Sequence, residues 1–210
     1  MQPAENTAAT LNFDDVKALA SEDMNAVDNL IRSSLQSDVL LVSQVAEYIV
    51  TSGGKRIRPL IVLLAARALG YTGGHQMNAA AIIEFIHTAT LLHDDVVDSS
   101  DRRRGRDTAN TVFGNQASVL VGDFLYSRAF QMMVDIGRMR VMQILADATN
   151  TIAAGEVMQL MNVHDPDVTE ADYRKVIYRK TARLFEAGAQ IAAVLADRDA
   201  SDEAAMVCYG

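Results

Sequence analysis

Three aspartates close a strongly apolar run of sequence. Asp94, Asp95 and Asp98 follow Ile82, Ile83, Phe85, Ile86, Leu91 and Leu92, with Val96 and Val97 set between them. In a helix, the four-residue step from Asp94 to Asp98 puts both carboxylates on one face, about 6 Å apart along the axis and about 40° apart around it, with Asp95 on the flank. Like charges at this separation repel, so a cation belongs between them and any anionic ligand. Magnesium suits the position, because it is hard, takes oxygen ligands, and shares one or two protein carboxylates with substrate phosphates. The competing reading is a solvated helix end capped by the residues that follow. Those residues are Arg102, Arg103, Arg104 and Arg106. Carboxylates followed by arginines suit a polyphosphate, whose remaining oxygens need cations.

A second cation cluster lies upstream in Gly53-Gly54-Lys55-Arg56-Ile57-Arg58-Pro59. Proline suits the first turn of a helix, and exposed amides at a helix start favour an anion. The spacing is not that of a Walker loop. Taken alone the turn is a weak phosphate signal; beside the aspartates and the arginine loop it suggests two diphosphates, one held through metal and one by side chains. His87 lies seven residues before Asp94, which returns it to nearly the same face two turns earlier and within reach of the same groove. A lone histidine on an apolar helix is more often a satisfied core residue. Glu84 and His87 also form an E-x-x-H pair, but no second such pair exists to complete a di-iron bundle.

These groups must be carried by helices. The 210 residues include only three prolines, Pro3, Pro59 and Pro166, so nothing of that kind interrupts Leu60 to Asp165. Apolar residues recur at three and four residue steps, and no run alternates as a strand does beyond a few positions. The pattern predicts helices over Asp14 to Gln36, Leu40 to Thr51, Ile57 to Leu69, Met77 to Asp98, Ala117 to Gly137, Met139 to Met161, Glu170 to Leu195, and from Ser201 onward. Turns fall at Gly53-Gly54, Gly73-Gly74, the polar stretch from Ser99 to Asn110, and His164-Asp165-Pro166-Asp167. The expected architecture is all-α, as one domain over 1–210 with a frayed start over 1–10.

Bulk composition bounds the function. Half the residues are hydrophobic and the mean hydropathy is +0.06, enough for a sizeable core. No window holds the roughly 18 apolar residues of a membrane span, and the start lacks a signal-peptide pattern, so the cytoplasm is the expected compartment. The one cysteine, Cys208, makes neither a disulfide nor a zinc site. A net charge of −8 disfavours nucleic acid as a partner.

The segments GGKRIRP, EFIHTATLLHDDVVDSSDRRRG, VGDFLYSRAF and GEVMQL resemble the trans-isoprenyl diphosphate synthases, most closely the bacterial octaprenyl type, from about Val39 to the end. The resemblance implies a helical bundle around a deep central cavity, usually a homodimer, that joins isopentenyl diphosphate head to tail onto an allylic diphosphate such as farnesyl diphosphate. By motif, Lys55, Arg58 and His87 resemble isopentenyl diphosphate contacts. Asp94 and Asp98 resemble magnesium ligands, with Asp95 supporting. Arg103 resembles the allylic-diphosphate contact and Arg104 the isopentenyl contact, while Lys180 and Thr181 of YRKTA resemble a further allylic-diphosphate pair. Ala89 and Thr90, small where short-chain members have an aromatic floor, imply a long product, about octaprenyl.

The family's second aspartate-rich motif, beginning F-Q-x-x-D-D, does not occur in the 210 residues. The expectation is therefore a bundle truncated at its C-terminus and weakly active alone. A regulatory subunit of a heteromeric prenyl synthase is the alternative reading. A helical terpene cyclase is a third, disfavoured by the Lys55 to Arg58 turn because a cyclase binds a single diphosphate substrate.

Overall fold

The computed structural model describes residues 12–210 of the chain, so the expected fraying of residues 1–10 lies outside the described residues. The helices are α1 (Phe13–Ala18), α2 (Ser21–Ser34), α3 (Leu40–Thr51), α4 (Ile57–Ala68), α5 (His75–Val97), α6 (Ala109–Phe113), α7 (Asn115–Ile136), α8 (Met139–Met161), α9 (Glu170–Ile177), α10 (Arg183–Leu195) and α11 (Ala200–Tyr209). The all-α expectation holds. Helix α5 is central, packed by α2, α4, α7 and α10, and its run from Ala79 to Ile86 is buried on every side. A helix apolar all round needs such an enclosed position. No helix among the described residues is long and apolar enough to cross a membrane.

The structure departs from the periodicity in four places. The helix expected over Asp14 to Gln36 breaks at Leu19 and Ala20, where the Leu19 carbonyl accepts from Arg67 of α4. The loop after α5 holds a two-stranded hairpin, β1 (Arg102–Arg103) and β2 (Arg106–Asp107), with Arg103 opposite Arg106. Its tip, Arg104-Gly105, has φ of 52° and 78°, the sign a tight two-residue hairpin turn requires at both positions. Strands this short carry no readable alternation. Next, α6 precedes α7, which begins at Asn115 rather than Ala117. Finally, Tyr178–Ala182 is one turn of π-helix inside what the sequence presents as a continuous helix to Leu195. Such turns cluster at functional positions.

Candidate diphosphate site

The C-terminal turn of α5 presents two neighbouring stripes of side chains. Thr90, His93, Asp94, Val97 and Asp98 face a cavity of about 1180 Å³ between α5, α7 and α8, with Tyr126, Phe130, Ile152, Glu156 and Leu160 on its other walls. Glu84, His87, Leu91 and Asp95 line a second hollow beside it, toward the glycine turn and the hairpin. His87 lines this second hollow, whereas Asp94 lines the larger cavity. Seven residues fall about 20° short of two full turns and advance about 10 Å along the axis. That displacement leaves the His87 ring against Arg58, 3.1 Å from one of its nitrogens, rather than against the aspartates.

The two cation clusters converge around His87. A hollow of about 480 Å³ is lined by Lys55, Arg56, Arg58, Glu84, His87, Arg104 and Phe185. Arg56 caps α4 in a left-handed conformation, φ 49°, and its guanidinium is bound to buried Glu84. Arg104, also at positive φ, donates to the Gly53 carbonyl, tying the hairpin tip to the turn. Its guanidinium approaches so closely that a Cβ on Gly54 would lie 2.5 Å from its nitrogen. Holding each arginine in this conformation costs roughly 1–2 kcal/mol, which their hydrogen bonds to Glu84 and Gly53 help to offset. Arg58 stacks 4.3 Å above the Phe185 ring. Burial holds its guanidinium below the usual arginine range, with the Glu84 charge opposing. Burial, reinforced by the Arg58 and Arg104 charges, pushes His87 down to about 3, so the ring is neutral. A guanidinium only donates, so Nε2 of His87 is the acceptor and Nδ1 carries the proton.

The three aspartates divide their roles. Asp95 is buried and accepts a forked pair of hydrogen bonds from Arg103 at 2.8 to 3.1 Å, so it orients the arginine rather than facing the cavity. The hydrogen bond to Asp95 raises Arg103 above the usual arginine range. Asp94 and Asp98 remain on the cavity side. Asp98 caps the C-terminus of α5, where the helix dipole is also negative, so this end attracts cations. From the far wall, Lys180 Nζ lies 3.2 Å from Asp94 and 2.6 Å from Glu156. Burial opposes the Lys180 charge, but the Glu156 hydrogen bond and Asp94 hold its pKa above the ordinary value. Burial likewise raises Glu156, helped by Asp94. Thr181 is exposed and lines an adjacent hollow with Lys180. Of the two expected chain-length positions, Thr90 lines the cavity, whereas Ala89 is 0% exposed in the core. The 100° per residue of a helix turns Ala89 away.

Some site residues had no role in the sequence reading. Glu156 and Tyr126 sit inside GEVMQL and VGDFLYSRAF, where nothing in residue type marks them as neighbours of Asp94. Tyr126 is pushed up to about 12 by burial and then by the Glu156 and Asp94 charges. His93 stacks on Tyr126 and fits only because residue 122 is glycine, where a Cβ would lie 2.3 Å from its ring.

The donor set fits magnesium. Among the described residues, no three acidic, histidine or cysteine side chains gather tightly enough to enclose a metal by themselves. The two carboxylates of Asp94 and Asp98 on the cavity side match the one or two that magnesium shares with ligand phosphates. The placement of Lys180 shows that the space beside Asp94 already draws a cation.

A helical bundle with a carboxylate stripe over a large apolar cavity and a cationic turn beside it defines an isoprenoid-synthase type of fold. The chain belongs to the polyprenyl synthetase family, whose model matches residues 39–210. It is 56% identical over 95% of its length to octaprenyl diphosphate synthase of Escherichia coli K12, covering 62% of that protein. To an all-trans-nonaprenyl-diphosphate synthase (geranyl-diphosphate specific) of Rhodobacter capsulatus it is 49% identical over 88% of the chain, covering 57% of the relative. The chain thus spans about three fifths of the length of these curated relatives. Among solved structures, it superposes with a TM-score of 0.91 and 47% identity on a polyprenyl synthase of Caulobacter crescentus complexed with calcium and isoprenyl diphosphate, covering 93% of this chain and 60% of that one.

Proposed function

We propose that the chain forms the substrate-gripping wall of a long-chain trans-prenyl diphosphate synthase, adding isopentenyl diphosphate to an allylic diphosphate of about farnesyl size. The observation that carries this reading is the split of α5 into two stripes. One stripe offers carboxylates over an apolar cavity, and the other offers a neutral histidine among cations. Those surroundings suit two diphosphates held in different ways.

In this reading Lys55, Arg58, Arg104 and the Nδ1–H of His87 bind isopentenyl diphosphate without metal. Asp94 and Asp98 hold magnesium, as the calcium and isoprenyl diphosphate of the Caulobacter relative support. Bound there, magnesium supplies positive charge to the leaving diphosphate. Arg103, fixed by Asp95, and Lys180 share that charge, and Thr181 adds a hydroxyl contact. Fixed cations in a water-poor site stabilise the developing anion more than water does. Phe130, Ile152, Val157 and Leu160 offer the allylic chain an apolar surface while the isopentenyl double bond attacks its cation. Among the described residues no side chain is tuned as a base, so the proton leaves toward the departing diphosphate. A cavity of about 1180 Å³ exceeds the roughly 300–1,000 Å³ of ordinary ligand pockets, which supports a long product near octaprenyl. The exposed Leu120 and Val134 of α7 support assembly as a homodimer. The regulatory-subunit reading is not favoured, because the chain keeps both cation clusters and the full first aspartate motif.

Calorimetry with and without Mg²⁺ tests the proposal. Farnesyl diphosphate should bind only with Mg²⁺ and lose binding in Asp94→Asn and Asp98→Asn. Isopentenyl diphosphate should bind without Mg²⁺ and lose binding in Arg58→Met. The same metal requirement for both ligands would refute the two-site reading.

A further inference from the structure

Lys180 is the contact in this site least explained by substrate binding. In the free chain it touches no anion-binding cation cluster; its ammonium is clamped between two carboxylates, 2.6 Å from Glu156 and 3.2 Å from Asp94. Glu156 and Lys180 are both partly buried, so the contact is more than a solvated surface pair. Two backbone features bring it about. The π turn Tyr178–Ala182 carries Lys180. Against it lies Gly155 of α8, where a Cβ would stand 2.7 Å from the Cβ of Arg179 and 3.0 Å from the amide nitrogen of Lys180. The pair Gly155-Glu156 therefore does two things in sequence: the glycine admits the π turn, and the next residue takes hold of its lysine.

We propose that Glu156 is a positioning residue that parks Lys180 on Asp94 as a stand-in cation until metal and diphosphate arrive. This deepens the functional reading above and rests on its assignment of magnesium to Asp94. Without ligand, the ammonium offsets the repulsion between Asp94 and Glu156. With magnesium and an allylic diphosphate both bound, Asp94 would hold the metal and Lys180 would turn to the phosphate oxygens, so that each carboxylate keeps a cation. The consequence is a coupling between ligands: metal alone must compete with Lys180 for Asp94, whereas metal accompanied by diphosphate gives the displaced lysine a new partner. Glu156 acts only through Lys180.

Binding of Mn²⁺ alone, followed by electron paramagnetic resonance, separates this role from a simple phosphate contact. Lys180→Gln removes the competing cation and should tighten Mn²⁺ about fivefold, the scale of one partly exposed ion pair. Lys180→Arg, which keeps the charge, should leave Mn²⁺ affinity within about twofold of the unmodified chain, since a twofold change is only about 0.4 kcal/mol. In a Glu156→Gln background the gain from Lys180→Gln should shrink, because the pair acts as a unit. With inorganic diphosphate present, the order should reverse and Lys180→Gln should bind Mn²⁺ more weakly than the unmodified chain. Mn²⁺ affinity unchanged or weakened by Lys180→Gln alone overturns the proposal, as does a gain of equal size with and without Glu156. Asp94→Asn reports on the underlying reading instead: if it leaves Mn²⁺ binding intact, the metal is not at the aspartate stripe and both claims fall together.

Discussion

Replacing Glu84 by glutamine should expose how the cations of the glycine turn are held in place. Glu84 is 9% exposed and bound to Arg56, whose other carboxylate partner among the described residues is Asp28 at 3.8 Å. Arg58, Lys55 and Arg104 line the same hollow. Removing one partner of a buried ion pair costs about 3–5 kcal/mol because the other charge is left uncompensated. Here Arg56 keeps Asp28 and the Val50 carbonyl at 3.5 Å, and glutamine keeps an acceptor oxygen. We therefore expect a loss of ~2 kcal/mol at pH 7. With a urea slope of about 2 kcal/mol/M, the unfolding midpoint should fall by about 1 M at constant slope. Burial shields the pair from salt, so the loss should persist at high ionic strength. Inorganic diphosphate should recover more stability in the variant than in the parent, since the anion stands in for the missing charge. Arg56→Met supplies the control. In that background Glu84→Gln should cost far less, and a coupling near zero in the double-mutant cycle would refute the assignment of Glu84 as the counterion that fixes the turn.

Two further outcomes follow from positions the structure separates. His87 sits at about 3 in the folded chain against an ordinary 6.5, so the unfolded chain binds more protons between those values. Its contribution to stability is complete above about pH 6.5 and fades as pH falls, reaching a loss of ~3 kcal/mol by pH 4. Urea titrations should show the advantage of the parent over His87→Asn shrinking by that amount between pH 7 and 4; a constant difference would count against a buried neutral ring. Separately, Ala89→Phe should overpack the core and cost about 1–3 kcal/mol. Thr90→Phe should be tolerated and, under the proposed function, shorten the product on chromatography. Full stability in Ala89→Phe would contradict its placement.

Helix periodicity carried most of the architecture because α5, α7 and α8 are long and their apolar faces are continuous. The breaks escaped it for a physical reason. The π turn at Tyr178–Ala182 changes the hydrogen-bond ladder by one residue without changing the apolar pattern on either side, and no proline or glycine announces it. The hairpin at Arg102–Asp107 rests on only two residues per strand, below the length at which alternation can be read. The functional groups divide in the same way. Asp94 and Asp98 were legible because both lie on one helix four residues apart, so local geometry fixes their relation. The partner of Asp95 was not legible for the opposite reason: a flanking carboxylate read as supporting the other two turns out to accept from Arg103, eight residues away in the hairpin.

Glu156 shows where local reading stops. Its neighbour in space, Lys180, is 24 residues distant and reaches it only because Gly155 lacks a Cβ and the π turn swings the lysine inward. Glycine beside glutamate within a helix has no chemical meaning until the opposing turn is present. Once it is, the two residues explain one another: the glycine lies where the backbone must pass, and the carboxylate lies where the lysine arrives. The surroundings of Asp94 are therefore defined as much by a contact between α8 and the π turn as by the aspartates themselves. A Gly155→Val substitution, which leaves every charged group intact, should for that reason disturb Asp94's cation partner as surely as replacing Lys180 itself.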